Sequence, residues 1–186
     1  GIYSKQDGIH LRAIAKSATY SEAASLISQI EHQIIEKVGA DFIWGQDDDT
    51  PAEVATNLLQ SKRLRLCITE SYTGGVVCGL VSECELSDEV FLQGVIKTPV
   101  TKPILEYQEP SQPCDGFCKA DLHLNISPLL LEDQTHHFGT VHFRISSRHE
   151  TTLISGKYRT GNSRMRQRAS NHALIELIRF VKSTYK

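Results

Sequence analysis

Residues 65–79 read RLCITESYTGGVVCG. An apolar run of strand length passes into Thr69-Glu70-Ser71-Tyr72-Thr73, meets two adjacent glycines, and resumes as an apolar helical run. A strand that turns there into a helix is the βα step of an open α/β sheet, where ligands collect at the carboxyl ends of strands. Amides at the start of that helix would favour an anion or oxyanion. Gly74 and Gly75 would let a ligand approach the backbone closely. Ser71 would then sit in the mouth as a possible nucleophile, with Thr73 as a helper or a cap. On spacing alone, a purely helix-capping role for Ser71 or Thr73 stands beside the catalytic one.

The rest of the chain fits such a layered fold. A strand is expected over 64–68, a helix over 73–84, then strands over 91–97, 122–126, 138–145 and 151–157, and a last helix over 163–184. Strands interleaved with helices argue for an α/β domain. Met165, Ala169, Ala173, Leu177 and Val181 lie near one face of the last helix. Upstream, residues 9–15 alternate as a half-buried strand does, and Thr19 to Glu22 fits a capping box. The helix that follows carries Ala23, Ile27, Ile30, Ile34 and Val38 and stops at Gly39. Phe42-Ile43-Trp44 reads as a strand, giving a β-α-β unit over 1–46 that is too small to be comfortable alone. Thr50-Pro51-Ala52-Glu53 is a strong helix start, so the boundary is placed in the acidic hinge at Asp47-Asp48-Asp49 and a second domain over 50–186.

With 186 residues and a net charge of −2, one ordinary domain, or a domain plus a fragment, is allowed. The near-neutral balance excludes a polybasic nucleic-acid or membrane-surface protein. No apolar run spans a bilayer. The chain reads as cytoplasmic, with its five cysteines expected as reduced thiols. It opens Gly1-Ile2-Tyr3, so a longer parent protein is expected.

Thr-Glu-Ser-Tyr-Thr-Gly-Gly resembles the Ala-Glu-Ser-X-Thr-Gly-Gly signature of the C-terminal domain of CinA (competence/damage-inducible) proteins. Phe91-Leu92-Gln93-Gly94-Val95-Ile96 and Phe138-Gly139-Thr140-Val141 resemble two of the family's strands. The last helix, with Arg166 and Ala169 before Ala173-Leu174, is similar to its C-terminal helix. The segment from His10 to Lys16, the helix at 21–38 and Ile43 to Thr50 resemble part of its KH-like middle domain. The resemblance implies a three-layer α/β/α sandwich with a mixed sheet, preceded by a partial KH-like unit, and a homo-oligomer. It also implies a Ser/Lys amidohydrolase that cleaves the carboxamide of nicotinamide mononucleotide, without cofactor or metal. Ser71 would be the nucleophile, Thr73 its helper and Lys102 the displaced base. Glu70, Gly74, Gly75, Arg164 and Arg166 would bind the pyridine nucleotide. Such a serine needs a base, and a lysine can serve when burial or a nearby cation lowers its pKa.

Several positions depart from that pattern. The family's Tyr-Ser-Asn-x-x-Lys reads Thr98-Pro99-Val100-Thr101-Lys102-Pro103, which puts Pro103 at the lysine position, with Lys97 a weaker substitute. The glycine-rich ligand loop reads Ser127-Pro128-Leu129-Leu130-Leu131, and the Gly-Asp-Arg turn reads Thr160-Gly161-Asn162. The expected site is therefore an amidohydrolase site with its base, glycine loop and phosphate turn degraded. The alternative is a non-catalytic oligomerisation or nucleotide-sensing module. Insertion of Leu129–Leu131 into the site would favour that module.

Other constellations carry less. Cys114 and Cys118 with His123, His136 and His137 lack a clean four-ligand zinc spacing. Lys157, Arg159, Arg164, Arg166 and Arg168 form a basic run with only Tyr158 as an aromatic platform, so nucleic acid is not the expected partner. Three adjacent aspartates at 47–49 read as a solvated linker beside a helix start.

Overall fold

The computed structural model describes residues 1–98, 101–103, 119–131, 138–159 and 163–186, with the backbone alone for 101–103. The chain opens with a hairpin of β1 (Ile2–Ser4) and β2 (Ile9–Leu11), paired antiparallel. Helix α1 (Tyr20–Val38) follows. Thr19 Oγ1 accepts from the Glu22 amide at 3.2 Å, but the Glu22 carboxylate takes the Ser17 hydroxyl instead of reaching back, so half of the capping box forms. Gly39, at φ +91°, ends the helix; a 3-10 turn (Ala40–Phe42) takes in the first residue of the strand expected over Phe42-Ile43-Trp44, and Ile43 and Trp44 are not in a strand. The unit is thus hairpin, helix and turn rather than β-α-β. None of its residues up to Thr50 is buried, so it has no core of its own.

Helix α2 (Pro51–Ser61) begins with the complete capping box, Thr50 and Glu53 exchanging two bonds of 3.2 Å. Then come β3 (Leu66–Glu70), α3 (Val76–Ser82), α4 (Ser87–Val90), β4 (Phe91–Ile96), β5 (Thr101–Pro103), β6 (Leu122–Ile126), β7 (Leu129–Leu131), β8 (Phe138–Ser146), β9 (Thr151–Arg159) and α5 (Ser163–Thr184). The seven strands form one mixed sheet. β3 lies between β4 and β6 and runs parallel to both, with Glu70 level with Ile96 and Ile126. β8 runs antiparallel to β6, β7 and β9.

The sheet and the helices α2, α3 and α5 share one core. Val141, Phe143 and Ile145 alternate inward along β8, as the two-residue period of a strand demands, and meet Ala169, Ala173, Leu177 and Val181 of α5. An α/β fold with a mixed sheet is as expected from the sequence. Two strands of this sheet, β5 and β7, were not expected. Leu129–Leu131 pairs with β8 and, in parallel, with Thr101–Pro103, because an apolar triplet with Leu129 and Leu130 buried gains more as sheet interior than as loop.

The thiols also differ from expectation. Cys67 is disulfide-bonded, while Cys78 and Cys84 are free and buried. Among the described residues no helix is long and apolar enough to cross a membrane.

Candidate functional site

Three parallel strands bring their carboxyl ends together, and Ser71 sits at the middle one. Its amide donates to the Ile126 carbonyl at 3.1 Å, and the Tyr72 amide to the Ser127 carbonyl at 3.2 Å. On the other side, the Lys97 amide donates to the Glu70 carbonyl at 2.8 Å. The turn is therefore held from β4 and β6 at once. It closes with the Gly74 amide on the Ser71 carbonyl at 3.1 Å. Gly74 has φ +65° and Gly75 φ +100°, a left-handed pair that only glycine enters cheaply. A Cβ at Gly75 would also stand 3.0 Å from Ile96 Cδ1. The glycines thus serve the turn itself.

Ser71 is 3% exposed. Its hydroxyl donates to the Thr98 carbonyl at 3.0 Å. No amine meets it among the described side chains: Lys97 is exposed, and the side chain of Lys102, in β5, lies outside the described residues. Glu70, expected to bind substrate, caps α3 from within. It is fully buried, and its carboxylate accepts from Thr73 Oγ1 at 2.5 Å, from the Val77 amide at 3.2 Å and from the Cys78 amide at 2.9 Å. The amides at the start of α3, expected to receive an oxyanion, therefore already hold the protein's own carboxylate. Thr73, also fully buried, is part of that cap. Burial, and then the Glu70 carboxylate beside it, push the Cys78 thiol well above its ordinary range.

Next to the serine in the chain, Tyr72 joins aromatic contacts that the sequence did not signal. The Tyr72 hydroxyl donates to the Arg159 carbonyl at 2.8 Å, and its ring stands 5.7 Å from that of Tyr158. Burial raises the Tyr72 phenol, an effect that the nearby Arg166 guanidinium opposes. Arg166 is half-buried at the first turns of α5, and Arg164 is exposed. Tyr72 is the neighbour of Ser71 in the motif, but its partners lie far along the chain, which no spacing rule reveals.

The remaining expectations separate. Leu129–Leu131 lies in the sheet as β7. Cys114, Cys118, His136, His137 and the Thr160–Asn162 turn lie outside the described residues. Burial lowers the His123 imidazole. Among the described residues no group of three His, Cys, Asp or Glu could hold a metal ion. Asp47, Asp48 and Asp49 are exposed and line, with Glu53 and Glu85, an open cleft of about 720 Å³ at the hinge, lined by none of the site residues above.

No family model matches the chain. It is 36% identical over 94 residues to a putative competence-damage inducible protein of Alkaliphilus oremlandii, covering 50% of this chain and 22% of that protein. A putative competence-damage inducible protein of Bacillus cereus is 28% identical over 190 residues, covering 91% of this chain and 46% of that one. The chain thus spans less than half the length of these curated relatives. A crystal structure of a competence-damaged protein (CinA) superfamily protein from Escherichia coli matches with a TM-score of 0.52 at 19% identity, over 76% of this chain and 97% of that one, a likeness of fold.

Proposed function

The chain belongs to the CinA family, and from that premise we propose that residues 50–186 bind a pyridine nucleotide at the carboxyl ends of β4, β3 and β6 without hydrolysing its carboxamide. The observation that carries this reading is the state of Ser71. Its proton is committed to a main-chain carbonyl at 3.0 Å, whereas a working nucleophile directs it to a base. The amides of Val77 and Cys78 are taken up by Glu70, so they do not stabilise a tetrahedral oxyanion. Arg166, beside Tyr72, supplies the cation that a nucleotide phosphate needs. The reading includes self-association, as the family resemblance implies.

The rival reading is the amidohydrolase itself, with Ser71 as nucleophile and Lys102 as base. What favours it is the placement of Ser71 at the ends of three parallel strands, where this fold class does its chemistry.

Calorimetric titration with nicotinamide mononucleotide, run beside an ammonia assay on the parent and on Ser71→Ala, separates the two. Binding without ammonia supports the sensing module. Ammonia from the parent and none from the variant establishes the hydrolase. Neither binding nor ammonia removes this nucleotide as the ligand.

A further inference from the structure

Behind the serine turn runs a line of side chains that neither capping nor catalysis has used. Tyr158, 4% exposed, shares a hydrogen bond of 2.6 Å with His172 Nδ1 on α5. The His172 ring stands edge-on to Phe143 at 5.0 Å, and its Nε2 faces Glu176 at 3.6 Å. Glu176 is held in turn by Arg179. With Nε2–H facing the carboxylate, Nδ1 is left to accept, and the buried Tyr158 hydroxyl has a partner only there among the described residues. On its other side Tyr158 packs against Tyr72, whose hydroxyl is bound to the next carbonyl along β9, that of Arg159. The residue before Tyr72 is Ser71.

We propose that His172 is a positioning residue: through Tyr158 and Tyr72 it fixes the Ser71 turn against α5, and so sets the serine relative to Arg166. The physical reason is rigidity. A tyrosine anchored at its hydroxyl and packed on its ring has one position, and the turn that carries Tyr72 is then tied to β9 as well as to β4 and β6. Cutting the link at His172 leaves Tyr158 with a buried hydroxyl that must turn away, and the packing under Tyr72 goes with it. For the ligand, the proposal rests on the reading that a pyridine nucleotide binds at this turn; for the turn itself, it does not.

The test compares His172→Leu, His172→Asn and Tyr158→Phe in the full chain. Asn offers an acceptor where Nδ1 stood; Leu offers none. Amide hydrogen exchange at residues 72–76 is expected to be about fivefold faster or more in the Leu and Phe variants, with residues 174–181 of α5 unchanged and Asn restoring the parent rate. Unchanged exchange at 72–76 overturns the proposal. So does equal acceleration of the turn and α5, since that is loss of stability alone. Should His172→Leu fail to fold, Tyr158→Phe, which removes one oxygen, decides by the same criteria. Exchange needs no ligand, so a failed nucleotide titration counts against the sensing module and not against the positioning role. Where the nucleotide binds, its Kd is expected to rise about fivefold with Leu and to return with Asn.

Discussion

The hydroxyl of Ser71 points its proton at the carbonyl of Thr98, 3.0 Å away and 27 residues along the chain. That one bond joins the turn after β3 to the end of β4 and holds the candidate nucleophile closed. Thr98 is exposed, so water can replace the serine there. Ser71→Ala is therefore expected to cost about 1 kcal/mol or less in urea unfolding. It is a fair control for activity because its fold survives. A loss of several kcal/mol would mean that the serine is chiefly structural.

Glu70 holds the start of α3 from inside the core. Its carboxylate accepts from Thr73, Val77 and Cys78, and substitution by Gln turns one acceptor into a donor facing donors. Glu70→Gln is expected to cost about 3 kcal/mol, read from the shift of the urea midpoint. A neutral result would contradict the assignment of Glu70 to the cap.

Two glycines a turn apart should answer oppositely to Ala. Gly75 has φ +100°, where a side chain is strained, and a Cβ there would stand 3.0 Å from Ile96 Cδ1, so Gly75→Ala is expected to lose about 1–2 kcal/mol. Gly79 is inside α3, and a Cβ there meets nothing within 4 Å. Gly79→Ala is expected to gain about 0.5–1 kcal/mol from the stiffer unfolded chain. Paired thermal melts check both signs.

Burial alone would raise the Glu176 carboxyl, but His172, 3.6 Å away, and the Arg179 guanidinium together hold it below its ordinary value. A carboxyl lowered by folding stabilises at pH above the unfolded value, and that contribution is lost as pH falls through the folded one. Glu176→Gln is therefore expected to melt lower than the parent at pH 7, with the gap closing as pH drops below 4.5. A gap that stays constant would mean that the charge of Glu176 plays no part.

Arg166 is the side chain whose charge reaches Tyr72 beside the serine. On the nucleotide-binding reading, Arg166→Ala is expected to weaken nicotinamide mononucleotide about tenfold in calorimetry, with Arg164→Ala weaker in effect. Equal affinity in the Arg166 variant would move the phosphate elsewhere.

Much of this fold was legible before any coordinates. The capping box at Thr50, the stop at Gly39, the strand-turn-helix step around Ser71 and the long last helix depend on hydrogen bonds spanning three or four residues, or on a backbone angle that one residue type accepts. Where local signals were weak, the reading slipped. Phe42-Ile43-Trp44 is apolar enough for a strand, yet Phe42 closes a 3-10 turn, and Ile43 and Trp44 pair with no strand among the described residues. Leu129–Leu131 read as a loop because its neighbours in the family are loop residues; as an apolar triplet beside β8 it became sheet.

The sequence alone determined that a serine would stand at the end of a strand, followed by a glycine turn and a helix. The reason is that strand period, turn conformation and helix start are all properties of adjacent residues. Only the tertiary structure decided what that serine touches. The Thr98 carbonyl, the clamp of Tyr72 on Arg159 across 87 positions and the Tyr158–His172 bond between β9 and α5 join segments by packing, and packing has no fixed spacing in a chain.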